Sequence, residues 1–237
     1  LTVIENYPDS DYLPAAYYLS GGTYQVLEQY SDAISAYEKY LESNPGVLEG
    51  IVQEEIGDLL VDAGSLEEAI PQYETALQEE YLEDPLTIQV KIGNLYNDLE
   101  QYDQAIEKYW LVYQETTNDF VKAQMDYLLG LIYFEIGDQE QAYSRFQDAV
   151  VNYPLSYHAY LSLRQLLENG QQVDDLYRGL VDYHAGQYGI AIDAFDRYMR
   201  MFPEHDGTPH HYKALSLRAI DQSVDAVAEG DALINNF

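Results

Sequence analysis

The chain has 237 residues, 42 Asp and Glu against 11 Lys and Arg, a formal charge of −31, and no cysteine. That balance argues against nucleic acid or an anionic membrane as a partner, because phosphate binding requires the opposite sign, and the missing thiols exclude disulfides, thiolate metal sites and a cysteine nucleophile. No apolar run approaches the ~18 residues of a membrane span.

The chain opens on LTVIENYP, residues 1–8, which reads as the tail of a helix and its closing Pro8. Leu1 is not an initiator methionine, so the expectation is a fragment of a longer protein. A helix follows over 13–29 with Tyr17, Gly21 and Tyr24 inward. Ser31 opens a second one carrying Ala33, Tyr37 and Tyr40 before Pro45. The next pair runs through Ile56, Gly57 and Leu60, with Gly64 as stop, Ser65 and Glu68 as a capping box, then Ala69, Tyr73 and Ala76, and Pro85 as its end. A third carries Ile92, Gly93 and Tyr96, then Ala105, Tyr109 and Val112.

Residues 119–154 show the unit most completely. Met125, Leu128, Leu129, Ile132, Tyr133 and Ile136 recur three and four apart, as one helical face requires, and Gly137 ends that helix. Asp138 caps the next with Gln141 as its reciprocal partner, ahead of a face of Ala142, Tyr143, Phe146, Ala149 and Val150. Ser156–Gly170 then forms a helix without a regular partner. The pattern resumes through Gly179, Ala191, Phe195, Tyr198 and Pro203, and a weaker copy fills 207–237. The boundaries are 1–8 (tail), 14–49, 50–85, 86–122 and 123–154 (regular units), 155–171 (unpaired helix), 172–206 (unit) and 207–237 (degenerate unit), about thirteen helices in one repeat domain.

Small residues at the eighth place (Gly21, Gly57, Gly93, Gly130, Gly179) and twentieth (Ala33, Ala69, Ala105, Ala142, Ala191, Ala226), aromatics at the eleventh and twenty-fourth, and a proline near the thirty-second resemble the tetratricopeptide repeat. The resemblance implies an all-α, right-handed superhelical solenoid of helix pairs with one irregular, unpaired helix. The small residues are read as sites where two helix backbones approach closely.

No catalytic set emerges. Glu54, Asp58 and Asp62 share a helical face, as a glycosidic carboxylate pair would, but in so acidic a chain they read as a solvated surface. His205, His210 and His211 with Asp206 lack the spacing of a zinc motif, and no serine nucleophile, phosphate loop or nucleotide fingerprint is present, so no metal or cofactor is expected. The remaining candidate is the concave face that first helices of such repeats present: Tyr18, Asp58, Asn94, Asn97, Tyr127, Leu131, Phe134, Leu176, Leu180, Tyr183 and His184. Lys91 and Asn94 alone do not make a clamp for a peptide carboxylate.

The segments YPLSYHAYLSL and RGLVDYHAGQYGIAIDAFDRY, within 153–199, resemble the helical-repeat region that precedes the catalytic domain of bacterial lytic transglycosylases. That resemblance implies a non-catalytic arm of an exported cell-wall enzyme, extracytoplasmic, binding glycan strands or partner proteins. The alternative is an intracellular scaffold that binds a partner peptide.

Overall fold

The computed structural model describes residues 2–7, 9–43, 46–79, 82 and 84–236. Leu1, Pro8, Pro45 and Phe237 lie outside them. The chain divides into two compact units, residues 1–108 and 109–237. Fourteen α-helices and one short 3-10 turn make up the regular structure of the described residues, which contain no strand.

The first unit contains α1 (Thr2–Asn6), α2 (Leu13–Val26), α3 (Tyr30–Leu41), α4 (Glu49–Asp62), α5 (Leu66–Ala76), α6 (Pro85–Asp98) and the start of α7 (Tyr102–Glu115). Here α2 pairs with α3 and α4 with α5, while α3 leans on α4 and α5 on α6. The second unit continues with α8 (Asp119–Glu135), α9 (Gln139–Asn152), α10 (Tyr157–Glu168), α11 (Asp175–His184), α12 (Tyr188–Met201), α13 (Thr208–Ala219) and α14 (Ser223–Asn236). Its pairs are α8 with α9, α11 with α12 and α13 with α14. Helix α10 packs on α9 and α8 but has no pairing helix of its own, because α11 is taken by α12.

Two local devices recur in the pairs, the turn in six of them and the notch in four. The first is a turn in the left-handed backbone region at Glu28, Gly64, Glu100, Gly137, Gly186 and Asp221, each five residues before one of the six anchor alanines. The residue after each turn donates its N–H back to a carbonyl of the helix just ended, as in Gln29 to Tyr24 (2.9 Å), Ser65 to Leu60 (2.8 Å) and Asp138 to Tyr133 (2.8 Å). This is a Schellman closure, which satisfies orphaned carbonyls at the helix end.

The closure corrects both predicted capping boxes. The Ser65 and Asp138 N–H groups are already bonded, so Glu68 and Gln141 have no donor to reach back to. Ser65 makes no side-chain cap, and Asp138 keeps only the forward half, accepting from Gln141 N at 3.1 Å. Pro85 is also corrected: it opens α6 rather than closing a unit, standing where a missing N–H costs nothing while Asp84 accepts from Thr87 N. Helix α2 stops at Val26, short of 29, and α3 begins at Tyr30 with Gln29 as its cap. Ile136, assigned to the buried stripe, is 47% exposed because it is the residue at which α8 ends.

The second device is a ring in a glycine notch. A Cβ on Gly21 or Gly57 would lie 2.6 Å from the ring of Tyr37 or Tyr73, and Gly130 and Gly179 face Phe146 and Phe195 in the same way. The glycines therefore make room for an aromatic side chain four residues beyond each alanine, rather than for the alanine's backbone as the sequence suggested. Glycine inside a helix costs about 1 kcal/mol relative to alanine, which the burial of a whole ring, worth roughly 1.5–3 kcal/mol, offsets. Phe146 and Phe195 are fully buried, as are all the anchor alanines from Ala33 to Ala191.

Candidate functional site

In the first unit the predicted surface residues are tied into the fold. Tyr18 packs its ring on Tyr37 and Tyr40, with centroids 5.8 and 5.2 Å away. Asp58 accepts from the Tyr73 hydroxyl at 2.6 Å and from Lys91 Nζ at 2.7 and 2.8 Å, and Glu54 binds the same ammonium at 2.8 Å. The cation that the sequence offered for carboxylate recognition is thus held by two carboxylates of its own chain. Asn94 is exposed and Asn97 half-buried on α6.

In the second unit Tyr127, Leu131 and Phe134 are half-buried against a core that includes Ala142, Phe146 and Leu163. Tyr127 lies between Phe146 and His158, at 6.1 and 5.8 Å, and burial lowers the pKa of that imidazole. Leu176 and Leu180 are half-buried on α11. Tyr183 is the hub of a ring cluster: His184 at 5.0 Å, Tyr212 at 5.1 Å and Tyr188 at 5.8 Å. His184 is exposed, and the three tyrosines are half-buried. The structure therefore joins Tyr183 and His184 to Tyr188 and Tyr212, which the sequence reading passed over because they sit on different helices.

It also missed two buried carboxylates. Asp126 on α8 is fully buried with Arg145 Nη1 at 3.1 Å from Oδ1, while Oδ2 has no hydrogen-bond partner. Burial pushes its pKa up to about 7 against the attraction of Arg145, and Asp148 adds to the rise. Asp182 on α11 is 4% exposed with Arg178 Nε 3.6 Å away, and burial likewise raises it to about 6 against that attraction. A signal existed for Asp182: it stands three residues past Gly179, where the other units carry Tyr24, Leu60, Tyr96 and Tyr133.

Among the described residues no three His, Asp or Glu side chains are grouped to hold a metal. The histidine-rich loop is used structurally. Asp206 accepts from Thr208 N at 3.0 Å, and His210 bonds Glu229, which also pairs with Lys213. No helix among the described residues is long and apolar enough to cross a membrane.

Paired helices joined by identical turns, with half-exposed aromatic side chains along them, define a helical-repeat scaffold. Tetratricopeptide-repeat profiles match residues 18–85, 54–120 and 124–156, and the chain belongs to the tetratricopeptide-repeat superfamily. Among solved structures it is similar to a tetratricopeptide repeat protein from Parabacteroides merdae ATCC 43184, with 16% identity, 93% of this chain and 78% of that chain covered, and a TM-score of 0.53. It is also similar to MamA, with 19% identity, 76% and 96% covered, and a TM-score of 0.51. No curated protein matches the chain. Family membership implies a scaffold for protein–protein contacts.

Proposed function

We propose that this chain is a non-catalytic arm that holds a partner polypeptide in position through the aromatic surface of its second unit. The observation that carries this is the cluster of Tyr183, His184, Tyr188 and Tyr212, where ring edges and faces lie beside hydroxyl and imidazole groups. Such surfaces combine a large apolar payload with directed hydrogen bonds.

The finer reading rests on the resemblance of 153–199 to the repeat region of lytic transglycosylases: an extracytoplasmic arm of a cell-wall enzyme, whose partner is either a protein or a glycan strand. Sugar rings stack on tyrosine as peptide side chains do, and with a chain charge of −31 such contact relies on stacking rather than on attraction to an anionic polymer. An intracellular peptide-binding scaffold is the alternative, and the sequence of the full gene separates the two.

The test is to incubate the purified chain with peptidoglycan sacculi and measure both retention and released fragments by mass spectrometry, for wild type, Tyr183→Ala and Tyr127→Ala. Retention that is lost in the alanine variants, without fragment release, supports the glycan reading. Equal retention by all three shows that the surface was wrongly chosen, and an anhydro-muropeptide product overturns the non-catalytic assignment.

A further inference from the structure

Between the end of α10, the segment 171–174, the first turns of α11 and the last turn of α12 lies a groove of about 470 Å³. Its apolar walls are Leu167 and Val173 on one side and Tyr198, Met201 and Phe202 on the other. Met201 and Phe202 are 68% and 45% exposed, so bulky apolar surface faces water here.

Arg178 lines the same groove. Its neighbour Asp175 is not available to it, because that carboxylate takes Arg197 through both oxygens at 2.6–3.1 Å. Among the described residues Arg178 pairs with Asp182, whose Oδ2 lies 3.6 Å from the buried Nε, and the exposed Asp174 also lines the groove, its Oδ1 accepting from Leu176 N. A guanidinium offers five donors in a planar fork that fits a carboxylate by two parallel bonds, and the Arg178 side chain is 29% exposed where it lines the groove.

We propose that this groove binds a partner polypeptide segment in which a bulky apolar side chain is followed directly by Asp or Glu: the apolar group lies between Val173 and Met201, and the carboxylate is taken by Arg178. The size fits, since pockets of roughly 300–1,000 Å³ with a few convergent polar groups are typical of ligand sites. The groove is formed without Tyr183, Tyr188 or Tyr212, so it acts independently of the ring cluster.

The test uses the intact chain and two probes, N-acetyl-Leu-Asp-amide and N-acetyl-Leu-Asn-amide, titrated while backbone amide resonances are followed by NMR. The acidic probe is expected to shift Gln172, Val173 and Tyr198 in a saturable way, and the neutral probe to bind roughly tenfold more weakly, as loss of a charge-assisted hydrogen bond implies. Replacing Arg178 would leave Asp182 buried and unpaired, so the blocking variant is Met201→Asp. It places a negative charge on an exposed wall and should weaken the acidic probe without changing the melting temperature. Tyr183→Ala should leave probe binding unchanged whether or not it abolishes retention on sacculi, which separates a failure here from a failure of the aromatic surface. Equal affinity for the two probes, shifts centred elsewhere, or undiminished binding by Met201→Asp would overturn the proposal.

Discussion

Replacing Asp126 by Asn should make the protein's stability markedly less sensitive to pH. In the native state the Asp126 carboxyl is fully buried, with one oxygen on Arg145 and the other without a partner. Arg145 is itself shared: it pairs with Asp148 and lies over the Trp110 ring, 5.1 Å from its centre. Burial raises the carboxyl from 3.8 to about 7. The folded state therefore holds this proton more tightly than the unfolded chain does. The associated stability is complete below the unfolded value and is lost progressively as pH climbs to about 7. At 1.36 kcal/mol per pH unit the total is about 4 kcal/mol, of which roughly 2–3 kcal/mol falls between pH 5 and pH 8. An asparagine keeps the shape and the hydrogen-bonding capacity but cannot ionise. Urea denaturation of wild type and Asp126→Asn at pH 5 and pH 8 reads the effect: the variant should gain roughly 2–3 kcal/mol on the wild type at the higher pH. Asp182 is unchanged in both proteins, so its titration cancels. A difference between the two proteins that is the same at both pH values would refute the reasoning.

Glu100→Gly should raise stability by about 0.5–1 kcal/mol, because Glu100 holds a left-handed backbone conformation (φ 58°) that glycine adopts freely; thermal melting checks it. Gly130→Ala should cost roughly 1–3 kcal/mol, since the new methyl meets the Phe146 ring, and a denaturant midpoint equal to wild type would refute the notch. Ala142→Leu should cost a similar ~1–3 kcal/mol by overpacking, whereas Glu67→Gln on the exposed side should stay within about 0.5 kcal/mol; the same melting series compares them.

The architecture was legible because it is written at fixed intervals. Helical stripes and small residues repeat with the pair, so element order, the anchor alanines and the odd helix after Pro154 could all be read from spacing alone. What failed was chemistry whose partner lies on another helix. A serine before an apolar run reads as a cap, yet the Ser65 N–H had already been claimed by Leu60, five residues upstream. A lone lysine reads as free, yet Lys91 reaches back to Glu54 and Asp58, more than thirty residues earlier. The buried Asp126 sits beside an otherwise apolar stripe, where pattern alone assigns it to solvent; only Arg145, nineteen residues on, explains its place. Of the candidate surface, the sequence identified Tyr183 and His184 but not Tyr212, since nothing in linear order announces that α13 brings its ring to α11.

Both pairing devices act over short stretches of chain. The left-handed turn binds a helix to the one that follows it, and the ring enters a notch sixteen residues upstream, as Tyr37 does at Gly21 and Phe195 at Gly179. Neither reaches into the next pair, so each pair carries its own instructions and is indifferent to how many residues separate it from its neighbour. That is why the 49-residue interval between Ala142 and Ala191 leaves α11 and α12 with the same turn and the same notch as the pairs spaced at 36. An additional helix is an insertion between complete sentences rather than within one. A chain organised in this way can acquire a new surface at a joint without renegotiating the packing on either side of it.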